Sequence, residues 1–82
     1  MRVLQLIDTL EAGGAERMAV NLANALVPKI ERSYLCATRK EGLLKPALDS
    51  AVGYLFLDKK HTLDLLAIRR LHHFLKRERI TI

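Results

Sequence analysis

The stretch that decides the fold runs from residue 3 to residue 17 and reads Val-Leu-Gln-Leu-Ile-Asp-Thr-Leu-Glu-Ala-Gly-Gly-Ala-Glu-Arg. Its first five residues are apolar except for Gln5, which is typical of a short strand covered on both faces of a parallel sheet. The run ends at Asp8-Thr9, and the Gly13-Gly14 pair then leads into an Ala- and Leu-rich segment. These patterns predict a strand, a turn and a helix in that order, which is how an α/β fold begins.

The helix predicted after the turn runs from Ala15 to Val27, and Pro28 ends it. At helical spacing, one face carries the apolar side chains Met18, Ala19, Leu22, Ala23 and Leu26. The opposite face is a narrow polar stripe of Arg17, Asn21 and Asn24. A polar stripe this narrow predicts a helix that is mostly buried.

Further elements are predicted along the rest of the chain from periodicity and turn residues. Strands are predicted at Ser33–Thr38 and Tyr54–Leu57, with a short helix at Leu43–Ser50 between them that accommodates Pro46. A second long helix has Thr62 as its N-cap and Asp64 in its first turn, and it ends near Arg79. Ile80–Ile82 is the beginning of a further strand. The resulting order β-α-β-α-β-α-β, with short connections, implies right-handed crossovers. The predicted fold class is α/β, a Rossmann-like doubly wound parallel sheet that is incomplete.

The chain has only 82 residues, so it forms at most one domain, and any active site in it is expected to be partial. The single Cys36 has no partner for a disulfide within the chain, which favours a reducing compartment. The apolar run near Met1 is too short for a signal peptide, and no stretch approaches the roughly 20 apolar residues of a membrane span. The expected location is the cytoplasm.

The Gly13-Gly14 turn is the best candidate for a ligand site, because parallel sheets bind ligands where a strand hands over to a helix. Glycine lets the backbone approach a ligand closely, and the amides that begin a helix favour an anion such as phosphate. The alternative is that the two glycines only form a tight turn. A G-x-G-x-x-G dinucleotide pattern and a G-K-[ST] phosphate loop are both absent from the sequence, which disfavours a dehydrogenase and a P-loop NTPase.

A family resemblance covers nearly the whole chain. The start Met-Arg-Val-Leu-Gln-Leu-Ile, followed by Gly-Gly-Ala-Glu-Arg at residues 13–17 and an Ala/Leu-rich helix, resembles the N-terminal domain of GT-B glycosyltransferases of the retaining group 1, or GT4, type. The resemblance implies a two-domain enzyme that transfers a sugar from a nucleotide-sugar donor to a glycan or lipid acceptor, in cell-envelope or surface-polysaccharide synthesis. No cofactor is implied.

Under this resemblance, residues 1–82 are the first part of the N-terminal, acceptor-side domain, and the rest of that domain and the C-terminal donor-binding domain are absent. Such a fragment is expected to be inactive alone. The resemblance implies that Gly13 and Gly14 face the donor's diphosphate. Asp8, Thr9 and Glu16 lie on the same strand-to-helix connection and are candidates for the ligand side. A carboxylate in the first helical turn, as at Glu16, is also favoured by the helix dipole alone. The catalytic residues stay unassigned.

The excess of positive charge lies in the C-terminal stretch that contains the last predicted helix. Residues 1–58 contain seven basic and seven acidic residues, whereas residues 59–82 contain seven basic and two acidic ones. This helix carries Leu63, Ala67, Ile68, Leu71, Phe74 and Leu75 on one side and Arg69, Arg70, His72, His73, Lys76 and Arg77 on the other. The cationic side is either a solvated surface or a contact for anionic lipid, with Arg69, Arg70, Lys76 and Arg77 as the membrane-facing candidates.

The basic helix also supports a rival function, in which the chain is a non-catalytic α/β module that docks on a membrane or an acidic partner. Lipid binding would place the protein peripherally on the inner face of the cell membrane. Nucleic acid is not expected as a partner, because no aromatic residues are interleaved with the basic ones for base stacking. No metal site is expected either, because His61, His72 and His73 lack the spacing that puts two ligands on one helix face.

Overall fold

Three parallel strands and two helices make up the fold in the computed structural model, which describes residues 1–11, 13–60 and 64–82. The elements in chain order are β1 (Arg2–Thr9), α1 (Gly14–Leu26), β2 (Arg32–Lys40), a 3-10 turn (Lys45–Ala47), β3 (Gly53–Phe56) and α2 (Leu65–Arg77). The three strands lie where the sequence predicts them, and α1 is displaced from its predicted bounds by one residue at each end. The fold class is confirmed as a small α/β protein with an open parallel sheet.

The sheet has the order β1-β2-β3, with β2 in the centre. The register pairs Leu4 with Tyr34 and Leu6 with Cys36 on one side of β2, and Leu35 with Tyr54 on the other. Residues 33–37 of β2 are all buried because both faces of the central strand are covered. The continuous apolar run in the sequence is therefore explained by two-sided packing.

The two helices cover opposite faces of this sheet. On one face, α1 and the segment around the 3-10 turn pack against Leu35 and Ala37 of β2. On the other face, Ala67 of α2 packs in a second apolar cluster with Cys36 and Leu57. Right-handed crossovers produce this arrangement when the chain reverses its direction across the sheet after β3.

The buried face of α1 differs from the predicted one. The helix buries Ala19, Val20 and Ala23, whereas Met18 is 73% exposed and Leu22 is 51% exposed. The two alanines are small enough to let the helix backbone approach the sheet, and the Ser33 hydroxyl donates a hydrogen bond to the Ala23 carbonyl oxygen at 2.9 Å. The helix is therefore rotated toward Val20, and the prediction of a mostly buried helix is wrong.

The predicted helix at Leu43–Ser50 is also wrong, because only the 3-10 turn at Lys45–Ala47 forms. The side chain of Asn24 explains why the turn does not continue. Its Nδ2 donates to the Ala47 carbonyl oxygen at 2.9 Å, and its Oδ1 accepts from the Asp49 backbone N–H at 2.8 Å. Asn24 thus supplies hydrogen bonds that a continuing helix would have made, and it is not part of a solvated stripe.

The second helix begins two residues later than the sequence predicts. Its N-cap is Asp64, whose carboxylate accepts from the Ala67 backbone N–H at 3.1 Å. Thr62, the predicted N-cap, and Leu63 lie outside the described residues. Of the predicted apolar side, Ala67 and Phe74 are buried, but Ile68 is 53% exposed.

The predicted fourth strand at Ile80–Ile82 does not form a regular strand, so the observed element order ends with α2. The segment nevertheless lies beside β1, on the side away from β2. Thr81 N–H donates to the Arg2 carbonyl oxygen at 2.9 Å, and Leu4 N–H donates to the Ile82 carbonyl oxygen at 2.9 Å. Three residues are too few for a longer ladder to form.

No helix in the described part of the chain is long and apolar enough to cross a membrane.

Candidate functional site

The turn between β1 and α1 lies at the edge of the sheet where the parallel strands end. Its anchor is Leu10, which is completely buried. The Leu10 N–H donates to the Lys40 carbonyl oxygen at 3.1 Å, and the Leu10 carbonyl oxygen accepts from the Leu44 N–H at 3.0 Å. A Cβ atom on Gly42 would overlap the backbone of Leu10 and Glu11, so glycine is needed there for the two segments to pack. The turn is held by the connection that follows β2.

Gly13 and Gly14 form the beginning of α1. Gly13 is the N-cap, with φ −106° and ψ 171°, and its N–H donates to the Glu11 carbonyl oxygen at 2.8 Å. Neither glycine has a positive φ, so the backbone conformation of the turn does not itself require them. A Cβ atom on Gly14 would meet no atom within 4 Å. The position that a side chain of residue 14 would occupy is therefore open.

Glu16 lies in the first turn of α1, three residues after the N-cap. Its carboxylate folds back toward Gly13, where a Cβ atom would overlap it. This is the position at which a carboxylate is favoured by the helix dipole. Glu16 is thus beside the candidate anion site, and its own negative charge occupies part of the helix N-terminal end.

Asp8 and Thr9 end β1 but make contacts within the protein. The Asp8 carboxylate accepts from Arg39 Nε and from the Thr38 hydroxyl, both at 2.8 Å. The hydrogen bond from Arg39, and then that from Thr38, hold the pKa of Asp8 below its usual value, and the charge of Lys59 acts in the same direction. The Thr9 hydroxyl accepts from the Glu11 N–H at 3.4 Å. Asp8 therefore lies at the edge where the strands end, and its carboxylate is paired with the Arg39 guanidinium.

Arg39 and Gly42 contribute to this region but are not among the site residues predicted from the sequence. The signal for Arg39 was available, because the carboxyl ends of neighbouring parallel strands meet at one edge, and Asp8 and Arg39 follow two such strands. Gly42 gave no local signal, since its role depends on the approach of Leu10 from a distant part of the chain.

The four basic residues proposed to face a membrane fall into two pairs. Arg69 and Lys76 are exposed on the outer side of α2. Arg70 donates to the carbonyl oxygens of Leu57 at 2.9 Å and Phe56 at 3.0 Å. Arg77 lies over the Phe74 ring at 5.5 Å and is 3.2 Å from the Glu78 carboxylate. Arg70 and Arg77 therefore contact protein atoms on the flank of α2 nearest β3, although both are exposed, Arg77 with 73% of its side chain accessible.

Among residues 1–11, 13–60 and 64–82, no three His, Cys, Asp or Glu side chains are grouped so that they could hold a metal ion. His72 and His73 are neighbours on exposed positions of α2, and His61 lies outside the described residues.

No protein-family model matches this chain, and no significant match is found among curated proteins or solved structures.

Proposed function

We propose that the chain is the first part of the N-terminal domain of a retaining GT-B glycosyltransferase of the GT4 type. The complete enzyme would transfer a sugar from a nucleotide-sugar to a glycan or lipid acceptor in cell-envelope or surface-polysaccharide synthesis. The turn at Gly13 and Gly14 would lie against the diphosphate of the donor. The observation that carries the proposal is the open space beside Gly14, the first residue of α1, where a side chain would lie.

The topology supports the proposal. In open α/β sheets, ligands bind beyond the carboxyl ends of the strands, at the point where the order of strands reverses. Here the chain runs from β1 to β3 in one direction and then returns, so that residues 80–82 lie on the free side of β1. The reversal thus falls beside β1, and the Gly13-Gly14 turn follows directly from that strand. A Rossmann-like, doubly wound sheet would place its ligand there.

The local chemistry supports an anionic ligand. The first amides of a helix carry a partial positive charge and lack intrahelical partners, so they bind phosphate well. α1 has no side-chain N-cap hydrogen bond, because its N-cap is Gly13. The Glu16 carboxylate lies nearby, so a diphosphate would have to displace it or approach from the open side at Gly14. Asp8 is held by Arg39 and is proposed to shape the edge of this site.

The rival function, a non-catalytic module that docks through its basic helix, explains fewer features of the structure than the glycosyltransferase proposal does. It leaves the open space at Gly14 without a role, and two of its four cationic residues are engaged with protein atoms.

The test uses the full-length protein that contains this chain. Release of nucleoside diphosphate from a panel of nucleotide-sugars would be measured for the wild type, Gly14→Val and Arg17→Ala. Gly14→Val should fold, because no atom lies near its Cβ, but it should weaken donor binding and slow transfer. Arg17→Ala is the control, since that side chain is exposed on the same turn. Unchanged affinity and turnover in a folded Gly14→Val enzyme would rule out the diphosphate role.

A further inference from the structure

The carboxyl ends of the three neighbouring strands carry a cluster of charged side chains. Asp8 lies near the end of β1, Arg39 near the end of β2, and Lys59 follows β3. The Lys59 backbone N–H donates to the Thr38 carbonyl oxygen at 2.7 Å, which holds Lys59 beside the end of β2. Neighbouring strands are about 4.8 Å apart, so the cluster spans about 10 Å of this edge. It adjoins the Gly13-Gly14 turn, because that turn follows β1.

The Arg39 side chain is held in place by Asp8. Arg39 Nε donates to Asp8 Oδ2 at 2.8 Å, and a terminal nitrogen of Arg39 contacts the same oxygen. The other carboxylate oxygen accepts from the Thr38 hydroxyl at 2.8 Å, so Asp8 is fixed on both sides. A guanidinium has more N–H donors than its contacts with Asp8 use. Because 60% of the Arg39 side chain is exposed, its other donors are accessible to a ligand in an orientation that Asp8 sets.

The Lys59 ammonium is the second cation of the cluster. After the hydrogen bonds from Arg39 and Thr38, its charge also lowers the pKa of Asp8, so it lies close enough to act on the same carboxylate. Lys59 forms no ion pair with any residue in the described part of the chain. An ammonium has only donors, and here they are free to meet a ligand.

Other carboxylates at this edge have partners or neighbours of their own. Glu11 acts on Arg39 through its charge, but its carboxylate is paired with Lys40 at 2.9 Å. Asp58, which precedes Lys59, lines a cavity beside α2 together with Lys60. The cluster of Asp8, Arg39 and Lys59 therefore offers many N–H donors around one carboxylate that is already engaged.

A donor-rich cluster selects among ligands by their hydrogen-bonding groups. A neutral sugar hydroxyl both donates and accepts, whereas a carboxylate or a phosphate only accepts. Charge-assisted hydrogen bonds are the stronger ones, and a guanidinium can bind such an anion through two parallel bonds. The side chains of the cluster are all polar, which suits an acidic sugar rather than a hydrocarbon chain.

We propose that Arg39 and Lys59 bind an anionic group, a carboxylate or a phosphate, on a glycan acceptor, and that Asp8 is the positioning residue for Arg39. This inference rests on the proposed transferase function. That function assigns the Gly13-Gly14 turn to the diphosphate of the donor, so the neighbouring strand ends are left for the acceptor. The acceptor is thereby narrowed to an acidic glycan.

Matched acceptors test the proposal in the full-length protein that contains this chain. Acidic oligosaccharides would be compared with the same oligosaccharides after reduction of their carboxyl groups, and phosphorylated oligosaccharides with their dephosphorylated forms. The ratio of kcat/KM between the charged and the neutral member of a pair should be about tenfold or more. The pair that shows this preference identifies the anion, and ratios near one for both kinds of pair would overturn the proposal.

Variants of the two cations locate the preference. Arg39→Gln should lower the ratio about tenfold and Lys59→Gln about two- to fivefold, because both contacts are partly exposed to solvent. Lys29→Gln is the control, since Lys29 is exposed near the opposite, amino-terminal edge of the sheet. Damage to the fold would slow both members of a pair equally and leave the ratio unchanged. A ratio that stays at the wild-type value in Arg39→Gln and Lys59→Gln would contradict the site.

Asp8→Asn separates positioning from simple charge. Loss of a carboxylate makes the edge more positive, so a field effect alone would raise the preference for a charged acceptor. The loss of the ionic contact with Arg39 should instead lower the ratio. A raised ratio would contradict the positioning role of Asp8.

The proposed function and this inference fail in different ways. Transfer at equal rates to both members of every pair would refute the acidic acceptor and leave the transferase standing. If no nucleotide-sugar is consumed, the transferase proposal fails, and calorimetric titration with the same oligosaccharide pairs still tests the anion site. Tighter binding of the charged members, lost in Arg39→Gln, would support the site, and equal binding would overturn it.

Discussion

The Arg2 guanidinium donates a hydrogen bond to the Tyr34 hydroxyl at 2.9 Å and so joins the first residue of β1 to the buried start of β2. The same hydroxyl donates to the Glu78 carboxylate, directly after α2. Arg2 also donates through Nε to the Glu78 carbonyl oxygen at 2.5 Å and through a terminal nitrogen to Glu31 at 2.7 Å. These contacts fasten the end of α2 to the amino-terminal edge of the sheet.

Replacing Tyr34 by Phe is expected to lower the free energy of unfolding by about 1.5 kcal/mol, because hydrogen bonds to two charged groups are lost while the ring stays buried. The measurement is urea denaturation followed by circular dichroism. Glu78→Gln and the double variant complete a cycle, and the two substitutions should be less than additive because they share one hydrogen bond. Full additivity would show that the network does not act as a unit.

Gly42→Ala is expected to destabilise the protein by about 1–3 kcal/mol, because the added Cβ overlaps the backbone of Leu10 and Glu11 and forces the segments apart. The matched control is Gly14→Ala, whose Cβ meets open space. That substitution should be neutral or should stabilise by up to about 1 kcal/mol, since it reduces the freedom of the unfolded chain. Thermal denaturation of both variants decides the matter, and equal melting temperatures would contradict the packing role of Gly42.

Cys36 should react slowly with thiol reagents in the folded protein. It is completely buried, and burial raises its pKa from 9.0 to about 11, despite the opposing charge of Arg70. The reactive thiolate is therefore disfavoured by folding. A chromogenic thiol reagent should show slow modification in buffer and fast modification in denaturant. Fast modification of the folded chain at neutral pH would mean that Cys36 is accessible.

The raised pKa of Cys36 also determines whether the free energy of unfolding rises or falls at alkaline pH. A thiol pKa that is higher in the folded state means that the unfolded state releases its proton first. The unfolding free energy should therefore fall as the pH rises above 9.0 toward about 11. A Cys36→Ser variant lacks this thiol ionisation, and its stability should depend less on pH in that range.

Acid should destabilise the fold through carboxylates that are paired with cations or hydroxyls. The pKa of Asp8 is lowered by Arg39, that of Glu31 by Arg2, and that of Glu78 by Tyr34. A depressed pKa in the folded state contributes stability above the unfolded value and loses it as the carboxylate is protonated. The unfolding free energy should therefore be steady above the ordinary values of 3.8 for Asp and 4.5 for Glu and should fall below them.

Asp8→Asn provides the control for this acid effect, because it removes one of the titrating groups and leaves Glu31 and Glu78 in place. Its stability should decline less steeply with falling pH than that of the wild type in the same denaturation series. Parallel curves for the two proteins would show that the Asp8–Arg39 pair contributes nothing.

The strands and α1 could be predicted because their signals are local. An apolar run bounded by polar or turn residues predicts a buried strand, and both β2 and β3 follow this rule. The rotation of α1 could not be predicted in this way. The helical wheel places Met18 and Leu22 on the same apolar face as the alanines. The burial of Ala19 and Ala23 depends on how closely the helix packs on the sheet, and this packing also buries Val20.

The candidate site could be predicted only in part. The position of the Gly13-Gly14 turn follows from the order of strand and helix, but its contacts come from residues far along the chain. Leu10 is anchored by residues after β2, and Asp8 is paired with Arg39 by the register of two parallel strands. The failed helix at Leu43–Ser50 has the same origin, since it is Asn24, on another element, that supplies the competing hydrogen bonds.

The contact between Arg70 and Phe56 makes the two edges of the sheet unequal in their ability to accept a further strand. At the β3 margin, a guanidinium already occupies an outward-facing carbonyl oxygen, so a further strand is discouraged there. At the β1 margin, residues 80–82 pair only at Arg2 and Leu4 within the described part of the chain. Alternation along the strand places the backbone groups of Leu6 and Asp8 on that same open side. Any added strand, from this polypeptide or another, is thereby directed to the β1 side, next to the turn that carries Gly13 and Gly14.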